Sequence, residues 1–153
     1  ISTQSLFLIS KLIFATGYIL CYPWPMYSKP LRSFNESTHT GCNPDEYKWC
    51  STQEGTPFAI FTGVMIIVMG LAIPCSALSL DTIYSKILGN IDQNLMQAVF
   101  GAAENLMMVL GPIYATQIFT AFGMSILCLV NASVYLLAAF VWIGAWKPVR
   151  PYR

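Results

Sequence analysis

An acid and an amide stand in the middle of an oily run: Glu104 and Asn105 within FGAAENLMMVLGPIYATQIF, residues 100–119. A carboxyl group held in apolar surroundings can take up and release a proton, which is the chemistry of a coupled transport path; kept neutral, it hydrogen-bonds inside a packed bundle. Gln97, Gly101, Glu104, Met108, Gly111 and Ala115 recur at alternating steps of four and three, so they share one face of a helix. That face is small and partly polar, the pattern used where two membrane helices approach closely. Gly111-Pro112 adds a break point on the same segment, and Pro74 in IVMGLAIPCSAL adds another upstream. A proline kink is either purely structural or opens onto a cavity that satisfies the freed carbonyl. Lys11 is the other ionisable side chain within an apolar segment. Counted from a first span at residues 6–22, it lies shallower than Glu104 by roughly 8 Å, so pairing would need a long reach.

A second group of chemical side chains is HTGCNPDEYKWC, residues 39–50. Two thiols, the imidazole of His39 and carboxylates at odd spacing make a poor zinc set. A Cys42–Cys50 disulfide is the expectation, and so small a ring removes roughly 2.5 kcal/mol of chain entropy from the disordered state. Cys21, Cys75 and Cys128 read as small apolar fillers. The sequence shows no catalytic-triad spacing, phosphate loop or metal cluster, and it has one histidine. No enzyme, catalytic residue, metal or cofactor is expected.

The elements that must carry these residues follow from composition. Of 153 residues, 56% are hydrophobic and 10% charged. A soluble domain carries about 25% charged residues, so the membrane class is favoured and the lipid bilayer is the first partner. The net charge of +1 comes with scattered basic residues that form no stripe for a phosphate backbone, which argues against nucleic acid. A span needs about 20 apolar residues. Four segments fit: residues 6–22, 58–80, 95–119 and 124–146. The second is opened by Thr56-Pro57. The connections are a long polar loop, residues 23–55, a short polar hinge from Asp81 to Asn94, and a tight turn from Thr120 to Gly123. The fold class is therefore all-α integral membrane, with both ends of the chain on the side opposite the loop.

Basic residues barely orient it: Lys86, Lys147, Arg150 and Arg153 lie on one side, Lys29, Arg32 and Lys48 on the other. Loop chemistry decides better. Asn35-Glu36-Ser37 is a glycosylation acceptor, and a cystine suits an oxidising lumen or exterior. The C-terminus then faces the cytoplasm, with Trp142, Trp146 and Tyr152 as an aromatic belt. Asn131-Ala132-Ser133 also matches the acceptor triplet, but it lies mid-helix, and Asn131 is expected to bond to a neighbouring helix.

Pro74, then YSKILG (Tyr84 to Gly89), then LGPIYATQIF (Leu110 to Phe119), resembles the last helices of a major facilitator superfamily transporter. The loop signature TGC with WC (Thr40 to Cys42, Trp49 and Cys50) resembles the lysosomal major facilitator superfamily domain-containing proteins. The resemblance implies helices nine to twelve of a twelve-helix fold, with a lumenal glycosylated loop, an endolysosomal location and a missing N-terminal transporter half as partner. Ile1 in place of a methionine agrees with a fragment. Function would be transport of a small solute or ion by alternating access. In the lysosomal relatives the stretch ahead of Gly-Pro is rich in Gly and Ser and ends in a basic residue. Here AAENLMMV stands there, with Met108 at the basic position and Glu104 as a novelty, so substrate or coupling ion differs. YSKI, residues 84–87, also matches a tyrosine-based sorting pattern and reads as part of the hinge. The alternatives are a four-helix adhesion or scaffold protein of the claudin or tetraspanin kind, and passive anion conduction on the same fold. The claudin GLW and tetraspanin CCG motifs are absent from this sequence.

If the loop is lumenal, glycosidase should increase the gel mobility of the wild-type protein and leave an Asn35→Gln variant unmoved. A wild type that does not shift would reverse the orientation.

Overall fold

The computed structural model describes residues 2–36, 38, 40–89 and 93–149, excepting the side chains of Gln93 and of residues 146–149. Ser37, His39, Arg150, Tyr152 and Arg153, and the side chains of Trp146 and Lys147, are therefore outside the description. The elements in chain order are α1 (Thr3–Cys21), β1 (Lys29–Pro30), a 3-10 turn (Lys48–Ser51), β2 (Glu54–Gly55), α2 (Phe58–Ile67), a π-turn (Val68–Ala72), α3 (Ile73–Leu88) and α4 (Gln93–Val149). Three helical stretches are long and apolar enough to cross a membrane: Thr3–Cys21, Phe58–Leu88 and Asn94–Ala145.

The last stretch spans 52 residues. A straight helix that long would measure about 78 Å, against a hydrocarbon layer of about 30 Å. It is not straight. Gly123 leaves the helical region at φ 76°, ψ −174° and divides α4 into two arms. Near its start the first arm accepts a hydrogen bond from Tyr84 at the Met96 carbonyl (3.1 Å), and near its end Phe119 meets Trp49 of the loop. The second arm returns along α1: Tyr135 stacks on Phe14, and Trp142 reaches the carbonyl of Gln4. The two final spans expected from sequence thus form one helical stretch interrupted at one residue.

Other boundaries move outward. Residues Asp81 to Leu88, read as hinge, are helical. Their polar side chains still sit on a helix because the backbone bonds of that turn need no apolar neighbour, and Tyr84 stacks on Phe100 at 4.8 Å. Residues 120–122 stay helical as well, so the turn is confined to Gly123. Gly111-Pro112 causes no break: the backbone there remains helical. At Pro74 the outcome differs. A π-turn immediately precedes it, the wider winding that lets a helix absorb the proline ring and its lost donor.

α1 is the central element. Its buried residues Ser10, Phe14, Gly17 and Cys21 follow steps of four, three and four, and Cys128, Ala132, Tyr135 and Ala139 of α4 do the same on the facing arm. Small side chains on such faces let backbones come together, which is how helices associate where lipid is as apolar as leucine. At Gly17 a Cβ would lie 3.0 Å from Val68 Cγ2 and 3.2 Å from Val64 Cγ1, so α2 also presses on α1 there.

The described residues of the loop 23–55 form a small cap. β1 pairs with β2 in antiparallel register, Lys29 with Gly55 and Pro30 with Glu54. Cys42 and Cys50 are bonded, with Cα atoms 5.7 Å apart. Thr56 Oγ1 donates to the Cys21 carbonyl at 2.5 Å, tying the end of the loop to the last turn of α1.

Gly17→Leu should lower thermal stability in detergent by about 1–3 kcal/mol, the usual overpacking cost. Gly63→Leu should leave it unchanged, since no atom beyond its own helix backbone and chain neighbours lies within 4 Å of a Cβ built there.

Candidate functional site

α1 begins earlier than its apolar run suggests. Ser2 Oγ accepts from Ser5 N at 3.2 Å and caps the helix, which starts at Thr3. Lys11 consequently lies near the middle of α1, not at the shallow depth expected from a start at residue 6. Its ammonium donates to Ser76 Oγ of α3 at 2.8 Å. It also sits 4.5 Å from the ring centroid of Phe7, 5.8 Å from that of Phe14 and 5.9 Å from that of Tyr135. Three elements therefore converge on one cation.

The chemistry of that arrangement follows from what an ammonium needs. It carries three donors and no acceptor, so one hydroxyl satisfies one of them. The negative ring faces attract the charge, and the interaction strengthens as water is excluded. A lysine at the centre of a membrane helix costs roughly 2.5–3.5 kcal/mol on insertion scales and more in simulation. Among the described residues its partners are a hydroxyl and aromatic faces, and none is a carboxylate. The charge is held but not neutralised.

Ser76 is placed for this by the break upstream. It follows Pro74 by two residues and the π-turn by four, and it is 8% exposed. Two other buried hydroxyls are engaged by their own helices: Ser10 donates to the Phe7 carbonyl at 2.7 Å and Ser79 to the Cys75 carbonyl at 2.5 Å. The rings are held as firmly. Tyr135 stacks on Phe14 at 4.7 Å with 7° between planes, and on Tyr18 at 5.7 Å. Trp142 packs on Phe7 at 4.7 Å while donating to the Gln4 carbonyl at 3.2 Å. Beyond the rings lies an apolar cleft of about 420 Å³, lined by Phe14, Tyr18, Met65, Val68, Met69 and Tyr135 among others. Phe14 and Tyr135 belong to both, so they form the wall between cation and cleft.

The residues singled out from sequence lie in two places. Pro74 is at this site, as the cause of the local winding that delivers Ser76. Gly101, Glu104, Asn105, Gly111 and Pro112 are on the first arm of α4, where residues 102–114 are all exposed. No atom beyond the helix's own backbone and chain neighbours lies within 4 Å of a Cβ built on Gly101 or Gly111, and among the described residues no side-chain hydrogen bond engages Glu104 or Asn105. The structure does not bring the acid to Lys11. The small face of that arm is open, whereas the paired small faces are those of α1 and the second arm.

One further expectation changes. Asn131 Nδ2 donates to the Leu127 carbonyl at 2.8 Å, within its own helix and not to a neighbouring one. Trp142 packs against α1 beside Phe7 and Gln4. Asn35 is exposed and pairs with Thr40 in a short bridge, a surface position. Sequence reasoning weighed Lys11 only as a distant partner for Glu104 and passed over Ser76. The signal that would have found Lys11 was the run Ser10, Phe14, Gly17 and Cys21, which marks the buried face beside it.

No family model, curated protein or solved structure matches this chain.

Ser76→Ala should destabilise the protein by about 1–3 kcal/mol, the cost of leaving a charged donor unmet. Lys11→Met in that background should recover most of the loss. Thermal unfolding of the single and double variants measures the coupling, and strict additivity would show that the two side chains do not interact.

Proposed function

We propose that this chain is part of a membrane transporter that moves a small solute by alternating access, of the major facilitator kind found in endolysosomal membranes. The observation that carries the proposal is the Lys11 ammonium, lodged at the junction of α1, α3 and the second arm of α4, and held to α3 just past an interrupted helix. Charged groups inside membrane bundles are expensive and mark substrate or ion pathways. Broken helices near mid-depth are the usual walls of such pathways. A structural scaffold needs neither.

The cargo is anionic. An ammonium with donors to spare and, among the described residues, no carboxylate beside it is the group a negative solute would find. The open face of the first arm, with Glu104 and its small neighbours, suits contact with the missing half of the transporter, where a carboxyl exposed to water on one side of the cycle would carry the coupling proton. The glycosylated loop is lumenal and the C-terminus cytoplasmic.

Passive anion conduction on the same fold is the second reading, favoured by that same uncompensated charge. Flux in proteoliposomes containing the full-length transporter separates the two. Under carrier function, Lys11→Met abolishes anion uptake while Lys11→Arg keeps part of it, and Glu104→Gln flattens the pH dependence. Uptake that follows the membrane potential alone, with no response to a proton gradient, selects conduction. Wild-type uptake of neutral solutes only, unchanged in Lys11→Met, would end both readings.

A further inference from the structure

We propose that the disulfide-closed loop is a redox-sensitive latch on the α4 turn, in which Trp49 and Gln53 hold the two arms at Gly123 for as long as Cys42–Cys50 is intact. The turn leaves backbone groups without helical partners, because the last carbonyls of one arm and the first N–H groups of the next have none of their own. The loop supplies them. Gln53 Nε2 donates to the Phe122 carbonyl at 2.6 Å, and Gln53 Oε1 accepts from Ser125 Oγ at 3.1 Å and from Ser125 N at 3.5 Å. One amide side chain thus spans both sides of the break. Trp49 Nε1 donates to the Thr120 carbonyl at 3.2 Å, and its ring meets Phe119 edge-on at 5.2 Å.

Glycine is required where these groups close in. Gly123 has positive φ, and a Cβ there would lie 2.8 Å from Trp49 Cδ2 and against Oε1 of Gln53. Trp49 and Gln53 are held to each other, since the Gln53 N–H donates to the Trp49 carbonyl at 3.0 Å. Trp49 adjoins Cys50 in the 3-10 turn, and Cys50 is bonded to Cys42, whose N–H donates to the Arg32 carbonyl at 3.0 Å. On its other side Gln53 adjoins β2 and, through Thr56, the end of α1. The cystine is therefore one of two anchors of the clamp, and the only covalent one among the described residues.

Opening it needs a thiol reductant on the loop side. Two thiols of the reductant give up two electrons and two protons; the Cys42–Cys50 bond breaks, two S–H bonds form, and the reductant leaves as its disulfide. The 3-10 turn then loses its covalent cross-link to the Cys42 segment, and its hold on the arms of α4 weakens. This device is independent of the cargo, so it stands or falls apart from the transport reading.

The test is backbone hydrogen exchange of the full chain in lipid nanodiscs. Breaking the clamp should speed exchange at residues 124–126 roughly tenfold, the effect of losing one hydrogen bond. Gln53→Ala should do so in the oxidised protein. Dithiothreitol should do so in wild type, and should add nothing in Gln53→Ala. The α1 contact around Tyr135 should stay protected in every case. Wild-type exchange at 124–126 that ignores reduction overturns the latch, and so does a rise that extends through Tyr135, which would mean general unfolding. Trp49→Phe, which keeps the ring but not the donor, should give a smaller rise than Gln53→Ala; no rise in either variant overturns the clamp itself.

Discussion

A positive charge among apolar helices has to be held by the protein, and the Lys11 contact with Ser76 and the surrounding rings is where this bundle meets that demand. The rest of the arrangement makes sense as what such a contact requires. The hydroxyl must reach α1, so α3 must start from a wound-out turn at Pro74. The rings must present their faces, so α1 and the second arm of α4 must approach closely, and small residues on both make room. Each of these features is costly or weak alone. Together they build a fixed site from three helices that share no sequence proximity.

The same accounting of unmet groups explains the loop. In water the carbonyls and amides at a helix break are solvated at no cost. Between two long apolar arms they need protein partners, and Trp49 and Gln53 supply them across about seventy residues of chain. A loop that reads as polar filler is therefore part of the helix architecture. Gly123 is the residue that lets this happen, because its positive φ and its missing side chain are both used.

The two ionisable groups of the apolar helices also divide the molecule. Lys11 is half-buried among three helices; Glu104 stands on an arm whose described contacts with the rest of the bundle lie near its ends. An acid at that depth needs protein or water against it. The contrast between a paired small face on α1 and an open one on the first arm gives the bundle a finished side and an unfinished one.

Much of this was legible in the residues themselves. Low charge and long apolar runs specify helices long enough to cross a membrane, since a helix satisfies its own backbone in lipid. The nine-residue reach from Cys42 to Cys50 within a polar loop specified the bond, and Pro74 specified a local disturbance of its helix. What lay beyond sequence was whatever depends on relative position. Gly111-Pro112 and Pro74 look alike as letters, yet one leaves the helix regular and the other comes with a π-turn. Glu104 drew attention for its depth, while Lys11 was discounted because the start of α1 depends on the Ser2 cap and not on hydropathy. Periodicity can say that a residue lies on a face; only tertiary packing decides which faces meet, because that choice is made by the shapes and unmet groups of two segments at once.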